Sequence, residues 1–102
     1  MDFEKIQRMM KQLMDILAEY GDDEVAPAYN ILKSTYRRLT ENLGEAEKER
    51  IIIECYNMIY PGNHGLSEFY IWDNDFEERK RLNEPLNEIH DYLWSVVSNY
   101  KQ

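Results

Sequence analysis

The stretch DFEERKRLNEPLNEIHDYLWSVVSNY, residues 75–100, carries apolar side chains at Leu82, Leu86, Ile89, Leu93, Val96 and Tyr100. Steps of three and four place them on one side of an α-helix. Pro85 falls inside this stripe, and a proline there removes one intrahelical hydrogen bond. The phase of the stripe is unchanged across it, so the spacing predicts one helix kinked at Pro85, from about residue 75 to residue 100. The alternative has Asn83 capping a separate second helix. At the start, Asn74 or Asp75 supplies a cap, and Glu77 and Glu78 complement the positive helix end.

Reading back towards residue 1, the same spacing recurs three times. Phe3, Ile6, Met10, Leu13, Leu17 and Tyr20 form a first stripe that ends at Gly21. Asp22, Asp23 and Glu24 then offer capping oxygens, and Pro27 fits the first turn of a helix starting near Val25. Its stripe is Val25, Tyr29, Leu32, Tyr36, Leu39 and Leu43, with Gly44 as a left-handed stop. A third segment, from Glu45 to about Tyr60, continues through Ile52, Cys55, Tyr56 and Ile59. Ile51 and Ile53 widen its apolar arc, which predicts a deeper position or an extra covered face. Pro61-Gly62 breaks the pattern. The following run holds Phe69, Tyr70, Ile71 and Trp72, which favour an extended segment at 66–72 or a short hairpin, but one strand needs a partner. The expected fold is all-α: an antiparallel four-helix bundle in one domain, with one long ordered loop packed on it before the last helix.

A 102-residue chain with 43% apolar residues can fill one core. Charged residues interrupt the first twenty positions, so these read as helix and not as a targeting segment. No apolar run approaches the roughly 20 residues of a membrane span. One cysteine, Cys55, allows no internal disulfide, and Asn-x-Ser/Thr acceptors are absent. These point to a cytoplasmic protein. A net charge of −8 disfavours a nucleic-acid partner and suits a basic protein.

Chemistry-bearing motifs are few. Cys55 lies on an apolar helix side and reads as core. His64 and His90 lack close partners in sequence, so no metal, cofactor or catalytic residue is expected. Adjacent carboxylates on a helix point about 100° apart and do not share a proton. Arg37-Arg38 and Arg79-Lys80-Arg81 sit among acids at helical spacing and read as solvated faces. Met9, Met10 and Met14 read as core, or as an adaptable partner surface. The distinctive segment is 61–73, which holds Glu68 and Asp73 and no Lys or Arg. With Tyr70, Trp72 and Asp75, these form the expected partner-binding set: aromatic anchors beside carboxylates that steer a basic protein. The competing reading has the aromatics merely covering the bundle end.

The order helix, Tyr60-Pro61-Gly62, Gly65-Leu66-Ser67-Glu68-Phe69, then a closing helix with Asn83, Leu86, Leu93 and Trp94 resembles a family of small bacterial helical domains. Some are similar to the immunity partners of secreted toxins. The resemblance spans residues 52–95. It implies a bacterial protein-binding domain and assigns no individual residue a role; together with the acidic aromatic segment it suggests an immunity-type module that neutralises a basic toxin. Two other classes remain open: a small-ligand or metal-dependent enzyme using His64 with Asp73 or Asp75, and a structural homodimer burying the Ile51–Ile53 arc or the methionines.

Overall fold

The structure, a computed structural model, describes residues 1–62 and 65–100. Among the described residues the chain is all-α, with four helices: α1 (Phe3–Tyr20), α2 (Ala26–Leu39), α3 (Glu45–Ile59) and α4 (Phe76–Tyr100). Single 3₁₀ turns at Asp23–Val25 and Gly65–Ser67 precede α2 and α4.

The helix ends follow from short polar side chains. The Asp2 carboxylate accepts from the Lys5 N–H at 3.1 Å and opens α1. Gly21 closes α1 by donating to the Leu17 carbonyl at 2.8 Å. A Cβ at Gly21 would stand 2.4 Å from the Val25 side chain and 2.5 Å from the Leu17 oxygen, so only glycine permits this tight exit. Asp22 accepts from the Glu24 N–H at 2.9 Å and forms the turn into α2, where Pro27 occupies the first turn.

Two boundaries differ from the sequence expectation. The second stripe predicts a helix through Leu43 with a left-handed stop at Gly44, but α2 ends at Leu39. There the Thr40 N–H and hydroxyl both donate to the Arg37 carbonyl, at 3.2 and 2.6 Å, and close the last turn. Gly44 instead has an extended backbone, φ −70° and ψ 160°, and is the N-cap of α3. Leu43 still packs on the core, from the linker. At the other ambiguous point, α4 runs unbroken through Pro85. Pro85 and Arg81 are both exposed, so water can reach the carbonyl that proline leaves unpaired. Asn83 therefore caps no separate helix.

The helices pack in a ring, α1 on α2, α2 on α3, α3 on α4 and α4 on α1. Contacts at the ends fix their directions. The Met1 amino group donates to the Tyr100 hydroxyl at 2.9 Å, joining the start of α1 to the end of α4. Arg38 near the end of α2 pairs with Glu47 near the start of α3 at the same pole. The two 3₁₀ turns touch each other at the opposite pole. Neighbouring helices thus run antiparallel.

Inside the ring lie Ile6, Met10, Leu13 and Leu17 of α1, Leu32 and Leu39 of α2, Ile52, Cys55 and Ile59 of α3, and Leu86, Ile89 and Leu93 of α4. Each large side chain so buried contributes about 1.5–3 kcal/mol. Met10 and Met14 are buried and Met9 packs against them, so the methionines belong to the core. Ile51 is buried within the chain and Ile53 half-buried, which matches the depth expected of α3. The last stripe drifts by one position: Val97 is buried where Val96 is half-buried. No described helix is long and apolar enough to cross a membrane.

Gly65 and Gly44 should respond oppositely to substitution. Gly65 has φ +66°, and a Cβ there would lie 2.8 Å from the Ile59 carbonyl oxygen. Gly65→Ala should cost more than about 1 kcal/mol by urea unfolding. Gly44→Ser, in open space and at an N-cap, should be neutral or gain a few tenths.

Candidate partner-binding groove

The pole holding both 3₁₀ turns is where α1 ends, α2 and α4 begin, and the loop after α3 folds back. Two apolar side chains fix that loop: Leu66 is fully buried and Ile71 is 4% exposed. Its polar anchor is Asn83 on α4. The Ile71 N–H donates to Asn83 Oδ1 at 2.8 Å, and Asn83 Nδ2 donates to the Ile71 carbonyl at 2.8 Å. The same Nδ2 donates to the Arg79 carbonyl, which holds the carboxamide in place. The extended segment anticipated at 66–72 is thus a 3₁₀ turn followed by irregular chain. No strand exists among the described residues, because a side-chain amide occupies the place of a neighbouring strand.

With Ile71 turned in, Tyr70 and Trp72 turn out. They are 58% and 62% exposed, and their rings meet edge to face with centroids 6.5 Å apart. The Arg79 guanidinium lies 4.5 Å from the Trp72 ring centre and 5.5 Å from that of Phe76, itself exposed. Such contacts contribute about 0.5–1 kcal/mol at exposed sites and restrain the rings. The base missing from residues 61–73 is therefore supplied by α4, on the ring side and not among the carboxylates.

Between this loop and the α1–α2 turn runs a groove of about 680 Å³. Glu68, Phe69, Tyr70 and Trp72 form one wall, and Tyr20, Asp22, Glu24 and Val25 the other. Among its described lining residues are three carboxylates and no Lys or Arg. The five residues predicted as a partner-binding set therefore divide. Glu68, Tyr70 and Trp72 meet in the groove. Asp73 and Asp75 do not line it: Asp73 accepts from the Asp75 N–H at 2.8 Å, and Asp75 accepts from the Glu77 N–H at 3.0 Å to cap α4.

Tyr20, Asp22 and Glu24 are the groove residues the sequence pattern does not single out. Asp22 and Glu24 read as capping residues, a duty Asp22 does perform. Only the contact between the two 3₁₀ turns brings them opposite Glu68. Desolvation and the adjacent Glu19 raise the Tyr20 phenol pKa, with Arg81 opposing.

The other reactive side chains lie elsewhere. Cys55 is buried, and desolvation pushes its thiol up to about 11, against a smaller opposing hydrogen bond with Thr35. It stays protonated at neutral pH. His90 is half-buried, with its ring 4.9 Å from that of Tyr60 in an edge contact. Neither His90 Nε2 nor the Tyr60 hydroxyl has a hydrogen-bond partner among the described residues. Burial lowers the His90 pKa, with Asp91 opposing, and raises that of Tyr60. His64, on which the enzymatic alternative depends, lies outside the described residues. Among those described, no three His, Cys, Asp or Glu side chains cluster to hold a metal. In comparisons with protein-family models, curated proteins and solved structures, the chain has no match.

Asn83→Ala should cost about 1–3 kcal/mol, because it leaves the Ile71 backbone groups without partners, and should speed exchange of the Ile71 amide. Asn83→Asp should not restore stability, since it removes both Nδ2 donations. His90 gives a pH signature. Its folded pKa lies below its unfolded value of about 6.5, so protonation favours the unfolded chain. The stability from neutral His90 is present above that value and is lost as pH falls below it. Unfolding free energies from urea titration at pH 7 and pH 5 should therefore differ more in the native chain than in His90→Phe, by no more than about 1.4 kcal/mol per pH unit.

Proposed function

We propose that the protein is a binding module for a basic protein partner, and that the groove at the loop pole is its contact surface. The supporting observation is the composition of that groove, in which Asp22, Glu24 and Glu68 stand beside Tyr20, Tyr70 and Trp72 without a lining cation. Exposed aromatic rings supply area for desolvated anchoring, and uncompensated carboxylates steer a positive surface during encounter. Trp72 enters the interface already restrained by Arg79, so less freedom is lost when it is buried. Asp73 and Asp75 add negative charge to the same segment without lining the groove, while their hydrogen bonds serve α4.

In its most specific form this is an immunity-type role in a bacterial cytoplasm. The groove carboxylates would stand in for the phosphates of a toxin's substrate, and the aromatics would close over its basic active site. The module contributes no chemistry of its own. It acts by occupancy.

Tagged protein should retain a basic partner from lysate of the source organism at near-stoichiometric yield, more at low salt than at moderate salt. Trp72→Ala should weaken that complex by about 2 kcal/mol or more, while the protein stays folded and loses only about 0.5–1 kcal/mol from the Arg79 contact, because the ring is largely exposed. Glu68→Lys should abolish retention. A column that stays clean at both salts, or a Trp72→Ala variant that unfolds, overturns the reading.

A further inference from the structure

We propose that the groove receives an extended, cationic stretch of the partner's chain, lying along residues 70–72 and pairing with their free backbone groups as an added strand would. This rests on the partner-binding reading and specifies the form in which the partner enters.

The direction of the backbone groups comes first. The Ile71 N–H and C=O both bond the one Asn83 carboxamide, so both point towards α4, as in a strand residue paired on one edge. The chain has no cis peptide bond among its described residues. In a planar trans peptide the C=O and N–H point in opposite directions. The Tyr70 carbonyl, opposed to the Ile71 N–H, and the Trp72 N–H, opposed to the Ile71 carbonyl, therefore point away from Asn83. Neither has a hydrogen-bond partner among the described residues. A C=O and the N–H two residues later, aimed the same way, are the pair that one residue of a parallel neighbouring strand engages with its own N–H and C=O.

The groove lies on that side. It borders Tyr70, Ile71 and Trp72 without reaching Asn83, which lines an adjoining depression with Arg79, Lys80 and Asn87 that meets the groove at Tyr70. Any partner covering the Tyr70–Trp72 ridge must satisfy these two backbone groups or leave them desolvated and unpaired, at a cost in affinity. A docked helix has its own backbone bonds closed internally and offers them nothing. An extended segment offers both a donor and an acceptor. Its side chains alternate in direction, so every second one can reach the carboxylates of Asp22, Glu24 and Glu68.

The test uses an eight-residue capped peptide of alternating lysine and threonine, titrated into the full-length ¹⁵N-labelled protein. On binding, the Trp72 amide should shift downfield and its hydrogen exchange should slow by about tenfold or more. The Ile71 amide, already bonded, should change little. The same peptide N-methylated at every residue should lose this binding, and Glu68→Lys should weaken the unmodified peptide by about tenfold or more. Equal binding of the methylated peptide, or a Trp72 amide unmoved at saturation, would reduce the interaction to charge attraction and overturn the added-strand geometry. Absence of binding by either peptide at millimolar concentration overturns it as well, while retention of a folded basic partner is decided separately by the capture experiment.

Discussion

The carboxamide of Asn83 is the constraint on which the loop pole depends. A chain crossing the end of a helical bundle must bring some backbone close to apolar side chains, and each N–H and C=O taken from water needs a partner. Ile71 is the residue that goes in, and it sits where no helix or strand can serve it. One asparagine on α4 bonds both of its polar groups and the Arg79 carbonyl besides. Sealing the core with Ile71, orienting Tyr70 and Trp72 outward and forming the groove all follow from that three-way contact. The buried packing of Leu66 supports the same loop from its other end.

The helices were legible because periodicity is a local property. Stripes such as Ile6, Met10, Leu13 and Leu17 state their own buried face whatever they pack against, and the in-phase stripe across Pro85 was sufficient to favour a single helix. What misled was also local. Leu43 extends the α2 stripe beyond the point where Thr40 ends the helix, because packing from a linker can keep the same spacing. Gly44 suggested a left-handed stop, yet glycine also serves as an N-cap, and the sequence carries no sign of which. The site divided along the same line. Glu68, Tyr70 and Trp72 could be found within one unusual segment, whereas Tyr20, Asp22 and Glu24 join them only through tertiary contact. Asp73 and Asp75, next to the aromatics in sequence, do not line the groove, since their bonds go to the start of α4.

Charge is arranged differently on the helix faces and at the groove. On the faces, Glu47 meets both Arg38 and Arg50, Arg50 meets Glu54, Lys11 meets Asp15 and Glu78 meets Arg81. All are well solvated and add little stability individually. They hold four of the twelve lysines and arginines next to an acid, and among the described residues carboxylates elsewhere lack such a neighbour. The groove is one such place. Fixed charges of one sign between low-dielectric walls raise the local concentration of opposite charge more than the same charges spread over a convex surface.

The aromatic ridge can be weighed against the needs of folding alone. Leu66 and Ile71 already close the core at this pole, and the backbone of Ile71 is satisfied by Asn83. Tyr70, Trp72 and Phe76 therefore remain mostly in water, where polar side chains would serve the fold as well and reduce the risk of association. Only Arg79 covers part of two of these rings, and an exposed cation–π contact contributes too little to account for three large exposed aromatics. Phe69, half-buried against the core, is the ring that caps the bundle end, while Tyr70 and Trp72 point away from it. Here they flank the Tyr70 carbonyl and Trp72 N–H, which have no hydrogen-bond partner among the described residues, so apolar area and such backbone groups occur along the same few residues. That coincidence is what supports the proposed partner surface over a segment that merely finishes the core.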